Sequence, residues 1–216
     1  MTTRPRIFNR PGMAGPRRQG GAILFIALIV LVAMTLAGIA MIRSVDTALG
    51  IAGNMAFKQS ALMGTDRGAQ AGYAWLVANS AGTTLQNTNP AVGYFSSRTA
   101  TEPDWFDNTN WVNAVSLANE FGQVGNPDAA GNVVRYMIHR MCNCADVPYN
   151  ANCSGTTTAN VCGLYYPSTG GSAGGSMSVG SPQFEGIPQL YYRITSRVDG
   201  PRNTVSVIQV TVLIQV

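Results

Sequence analysis

Four cysteines, Cys142, Cys144, Cys153 and Cys162, are the side chains of this sequence best suited to chemistry, and they crowd into one short stretch. An even number so clustered fits two disulfides closing a loop, the habit of an oxidising compartment. Three pairings meet that count. A bond between Cys142 and Cys144, at the end of the strand predicted from Asn132 to Met141, is the least expected of them. Four thiolates could instead close a tetrahedron around zinc. Yet the run is C-x-C, then eight residues, C, then eight residues, C, without the paired C-x-x-C knuckles of a zinc ribbon. Disulfides are therefore expected, with no metal. The one histidine, His139, falls in the predicted strand beside Arg140 and reads as a strand residue rather than a general base. Glu102, Asp104 and Asp107 lie in a polar segment where carboxylates are solvated. No glycine-rich phosphate loop follows a strand, and no nucleophile motif occurs. The expectation is a protein that is not an enzyme and holds no cofactor.

The element that must position everything else is Ala22 to Ile42, AILFIALIVLVAMTLAGIAMI, which carries no charge. As a helix it rises about 31 Å, enough to cross a bilayer once. Before it stand Arg4, Arg6, Arg10, Arg17 and Arg18 and no acidic residue, so the positive-inside rule holds the N-terminus in the cytoplasm. The preceding residues 1–21, with three prolines and four glycines, read as a leader. An ordinary secretory signal peptide, cut near Gly38-Ile39-Ala40, is the competing reading, but such signals have apolar cores of about 7 to 15 residues. Here the helical pattern also continues. From Arg43 to about Ser80 there is no proline, and apolar residues recur at helical intervals at Val45, Leu49, Ala52, Met55, Ala56, Leu62, Met63, Ala69, Tyr73, Leu76 and Val77, opposite Asp46, Lys58, Asp66 and Arg67. Gly38, Gly50, Gly53, Gly64, Gly68 and Gly72 interrupt it, each at a cost of about 1 kcal/mol relative to alanine. Either close helix contact or local unwinding explains them.

The formal charge of +4 reports topology rather than a nucleic-acid partner: with five basic residues before the span, nine face ten acidic ones beyond it, a net of about −1. Residues 22–80 are thus read as helix and 81–216 as one β-rich domain on the far side of the membrane. In that domain Trp105, Phe106 and Trp111 are expected to anchor a polar segment over the helix. Val134, Tyr136 and Ile138 share one strand face. Ser168 to Pro182, rich in glycine and serine, reads as a surface loop. Tyr191 to Val198 and Thr204 to Val216 flank Asp199-Gly200-Pro201-Arg202-Asn203 as a terminal hairpin, with Ile208, Val210, Val212, Ile214 and Val216 on one face. The fold class that follows is α+β, a long N-terminal helix packed on a small antiparallel sheet.

Arg17-Arg18-Gln19-Gly20-Gly21 followed by Ala22-Ile23-Leu24-Phe25-Ile26 resembles the class III signal of type IV pilin-like proteins, and Ile51-Ala52-Gly53-Asn54-Met55-Ala56-Phe57-Lys58 is similar to a stretch of PilX-type minor pilins. The resemblance covers about residues 17 to 77. It implies a pilin-like fold and a leader removed by a prepilin peptidase between Gly21 and Ala22, or after Gly20, with methylation of the new N-terminus. Major pilins have Glu at the fifth mature position, where this sequence has Ile26; a carboxylate in a bilayer needs a cationic partner, so its absence suits a subunit at the filament tip or in the priming complex. The partners implied are other minor pilins and the major pilin through the N-terminal helix, the peptidase and the inner membrane, with a tip adhesin as a further partner and no nucleic acid. A type II secretion tip pseudopilin and a single-pass anchored periplasmic binding module are the alternative readings.

Overall fold

The computed structural model describes residues 21–172 and 183–215, so residues 1–20 of the expected leader, 173–182 of the predicted Ser168–Pro182 loop and Val216 lie outside the described residues. The chain forms two compact units that divide after Ala52. In the first, the helix α1 (Ala22–Ala78) begins, and it is long and apolar enough to span a membrane. Among the described residues none of its most apolar window is buried.

The second unit contains the end of α1 and a six-stranded sheet. Asn79 closes the helix, its side chain donating to the Trp75 carbonyl at 2.8 Å, and Gly82 turns the chain away at φ 87°. The strands are β1 (Tyr94–Phe95), β2 (Val115–Ser116), β3 (Val133–Arg140), β4 (Leu164–Tyr165), β5 (Ser168–Ser172), β6 (Gln183–Glu185), β7 (Gln189–Gly200) and β8 (Thr204–Gln215). Antiparallel pairing joins β3 to β7 and β7 to β8, while β4 continues the β3 side of β7. β1 and β2 lie on the other side of β3. The sheet is mixed rather than antiparallel as expected, because β1 runs parallel to β3. A two-residue strand can be reached by a loop from either direction, so the hairpin logic that fixes β7 and β8 does not bind it. β5 and β6 form a separate two-stranded sheet, so strand structure begins at Ser168 where a loop was expected.

Alternation sorts the sheet into two faces. One face, carrying Val134, Tyr136 and Ile138 of β3 with Ile194, Ser196 and Val198 of β7, receives the helix. The helix stripe that meets it is made of small residues, Ala61, Gly64, Thr65, Gly68, Ala69 and Gly72, ending in Leu76. This corrects the expected apolar face. Of the large residues assigned to it, only Leu76 is buried, while Met55 is 65% exposed and Tyr73 48%. The six helix glycines also divide. A Cβ would meet nothing within 4 Å at Gly38, Gly50 or Gly53, whereas at Gly64 it would sit 2.9 Å from Val198 Cγ2 and at Gly72 2.8 Å from Ile194 Cγ2. The distal three are there because the helix backbone lies directly on the strands. Around Leu76 the main core gathers Leu85, Tyr94, Tyr136, Ile138, Cys142, Leu190, Tyr192, Ile194 and Ile214.

Candidate functional site

The start of α1 is the first region of interest. Ala22 is its first helical residue, and Gly21 ahead of it is exposed at φ 57°, a left-handed conformation that glycine adopts without strain. Ile26 and its neighbours expose their side chains along the apolar segment, as a lipid-facing or helix-facing surface would. Farther along, Met55, Met63, Tyr73 and Val77 of α1 form a second apolar stripe that stays exposed.

The cysteines are joined as Cys142–Cys162 and Cys144–Cys153, one bridge nested in the other. Cys142 is fully buried in the main core and pairs with Cys162 across a single β-bridge, so the outer disulfide ties the loop to the end of β3. Asn160 stitches the interior of the loop: its carbonyl oxygen accepts from Cys144 N at 3.0 Å and its amide donates to Pro148 O at 3.1 Å.

Beside this loop lies a residue that sequence reasoning passed over. Arg140 is 1% exposed, and its guanidinium donates to three backbone carbonyls, Ser96 at 2.7 Å, Val147 at 2.6 Å and Leu85 at 3.3 Å. It thus joins the segment after the helix at Leu85, the residue after β1 at Ser96 and the cysteine loop at Val147. A buried cation is tolerated only where its donors are satisfied. Asp146 assists from the loop's surface, accepting from Thr88 N at 2.6 Å and Ser96 Oγ at 3.1 Å. Those bonds, led by the Thr88 amide, hold its carboxyl below the usual range.

The sheet face away from the helix carries a second layer. Trp105 and Trp111 pack there with Met137, Phe95 and Val207, rather than over the helix as expected, and Phe106 does not anchor at all, being 64% exposed. The odd positions of β3 and β7 supply the guanidinium groups beneath them. Arg197 lies 5.9 Å from the Trp111 ring centroid and pairs with Asp199 at 2.7 Å, and Arg193 lies 5.8 Å from Trp105 and pairs with Glu102 at 2.7 Å. Arg135 also binds Asp199, and Asn108 at 2.6 Å. Strand alternation was the signal that could have found these arginines, since all three share parity with His139.

The three carboxylates do separate work. Burial alone would raise Glu102, but hydrogen bonds from Trp105, Gln209 and Arg193 outweigh it and leave the carboxyl below the usual range. Asp104 accepts from Phe106 N and Asp107 from Thr109 N, each holding a local turn. His139 is 4% exposed, stacked on Phe95 with ring centroids 4.9 Å apart, and edge-on to Trp105. Burial, reinforced by the nearby Arg193 charge, pulls its pKa from 6.5 to about 4, so the ring is neutral at pH 7. A cleft of about 380 Å³ opens beside it, with Trp105, Phe95 and Met137 among its walls and Arg98, Asn110 and Asn113 at its rim.

The described residues combine a bridged loop, a buried guanidinium bonded to three carbonyls, a sheet packed on both faces and a helix with exposed apolar surface. No protein-family model matches this chain, and no curated protein or solved structure is detectably similar to it.

Proposed function

We propose that the protein is a minor pilin that takes part in initiating type IV pilus assembly. The observation that carries the reading is that α1 has more apolar surface than its own domain uses. The small-residue stripe is taken by the sheet, while Met55, Met63, Tyr73 and Val77 remain exposed beyond the apolar span. Exposed apolar stripes of this kind mark interaction surfaces, and helices of sister subunits fit this one. In this reading the protein enters the inner membrane as a single-pass precursor with its N-terminus in the cytoplasm. Prepilin peptidase cuts between Gly21 and Ala22, and Ala22 is then methylated. The helix packs with those of other minor pilins and of the major pilin. Ile26 leaves no buried carboxylate demanding a neighbour's amine, which favours a place at or near the tip, where the domain can contact an adhesin.

The experiment is a peptidase assay read by mass spectrometry. Wild type should lose its leader at Gly21 and gain a methyl group, and Gly21→Glu should stay full-length. A mature protein that retains its arginine-rich leader in cells with active peptidase would refute the reading and favour a permanently anchored binding module.

A further inference from the structure

The two edges of the six-stranded sheet are treated differently. On the β3 side the edge is broken into β1 and β2, two residues each, and loops occupy the rest. Short edge strands are one of the ways natural sheets avoid pairing with other chains. The opposite edge has no such protection. β8 pairs with β7 in unbroken register from Thr204↔Gly200 to Gln215↔Gln189, without a bulge, and among the described residues it pairs with nothing else. Between Thr204 and Gln215 there is no charged residue and no proline. Lysine, proline and bulges are the usual guards of such an edge.

An unpaired edge offers amide donors and carbonyl acceptors at strand spacing, and an extended backbone is the structure that matches it. The side chains beside it suit the same occupant. Ile208, Val210 and Val212, on the helix side of β8, are only half-buried, so an added strand with alternate apolar residues would complete their cover. At the hairpin end a groove of about 540 Å³ is lined by Lys58, Leu62, Arg202 and residues Thr204 to Ser206. Among the described residues neither Lys58 nor Arg202 has an ion-pair partner, and Arg202 is held over the Phe57 ring at 5.5 Å. Two cations at one end of an uncharged edge give it polarity.

We propose that β8 is a strand-docking edge that takes an extended segment of another polypeptide, alternating in apolar and polar residues and carrying an acidic group at the end that meets Lys58 and Arg202. The inference does not depend on pilus assembly, and holds equally for an anchored protein outside a filament.

The test uses the full chain in detergent and a fluorescent peptide of about eight residues, alternating valine and threonine and ending in two aspartates. Saturable binding should raise its anisotropy and slow amide hydrogen exchange along β8. Thr211→Lys combined with Gln215→Lys should weaken binding about tenfold without moving the unfolding midpoint. Lys58→Glu with Arg202→Glu should weaken the aspartate-ended peptide and strengthen one ending in two lysines. Methylating the peptide's backbone nitrogens, which leaves its side chains alone, should abolish binding whatever the variants do. Protection that appears elsewhere, binding indifferent to N-methylation, or copies of the chain pairing through β8 and excluding the peptide would each overturn the assignment.

Discussion

Replacing Gly68 by alanine asks directly whether the helix backbone rests on the sheet. In a helix interior this exchange gains about 1 kcal/mol from propensity alone. At Gly68 the new Cβ would collide with Ser196 Oγ and stand 3.0 Å from Ser196 Cβ and 3.1 Å from Val134 Cγ1. Carbon atoms in ordinary contact sit about 3.5 to 4.0 Å apart, so rotating the serine hydroxyl does not relieve the contact and the helix must lift from β3 and β7 by roughly half an ångström. Overpacking of this size costs about 1 to 3 kcal/mol. Gly53→Ala is the reference, since a Cβ there meets nothing within 4 Å. The propensity gain is common to both variants, and their difference isolates the packing cost. Urea unfolding of the detergent-solubilised chain, followed by tryptophan fluorescence, should find Gly68→Ala less stable than Gly53→Ala by about 1 to 3 kcal/mol, or roughly 2 to 10 °C in melting temperature. Equal stability of the two would refute the close approach.

His139 predicts a pH dependence. Its folded pKa, about 4, is below the ordinary 6.5, so the unfolded chain takes up the proton first. The contribution is complete above pH 6.5, declines as pH falls, and is lost at about pH 4, some 3 kcal/mol in all. His139→Phe, which preserves the stack on Phe95, should flatten the urea midpoint between pH 6.5 and 4 beyond the slope left by the carboxylates. Opening the outer bridge with Cys142→Ala and Cys162→Ala should cost about 3 kcal/mol by loop entropy, measured by the same unfolding curves, and adding reductant to that variant should cost less than adding it to wild type.

The terminal hairpin was legible because β7 and β8 are long, alternate in sequence and flank a turn, although the turn is only Pro201–Asn203: Asp199 and Gly200, expected within it, extend β7 and pair with Val205 and Thr204. β8 carries its Ile208, Val210, Val212 and Ile214 on the helix side as the pattern implied. The α+β layout was equally open to reading, since a charge-free apolar run can hardly be anything but a helix. Which stripe of α1 would meet the sheet was not. Large apolar residues usually mark a buried face, but here the opposing strands come so close that Ala, Gly and Thr fill the buried stripe until Leu76, and that spacing is a property of two segments rather than one. β1 and β2 are too short to show a period. Trp105 and Trp111 announced burial correctly, but an anchoring aromatic does not say which side of a sheet it will cover. Arg140 escaped notice because a charged residue at a strand end reads as solvated unless the three loop carbonyls that receive it are known.

Leu76 and the glycines before it belong to the interior of the second unit even though they sit on the same helix as the apolar span. Transplanting this domain onto a foreign anchor therefore requires carrying residues 53–78 along with it. A chimera joined just after Ser80 would deliver a sheet with one wall missing, whereas a junction near Gly53 keeps the wall and exchanges only the anchor.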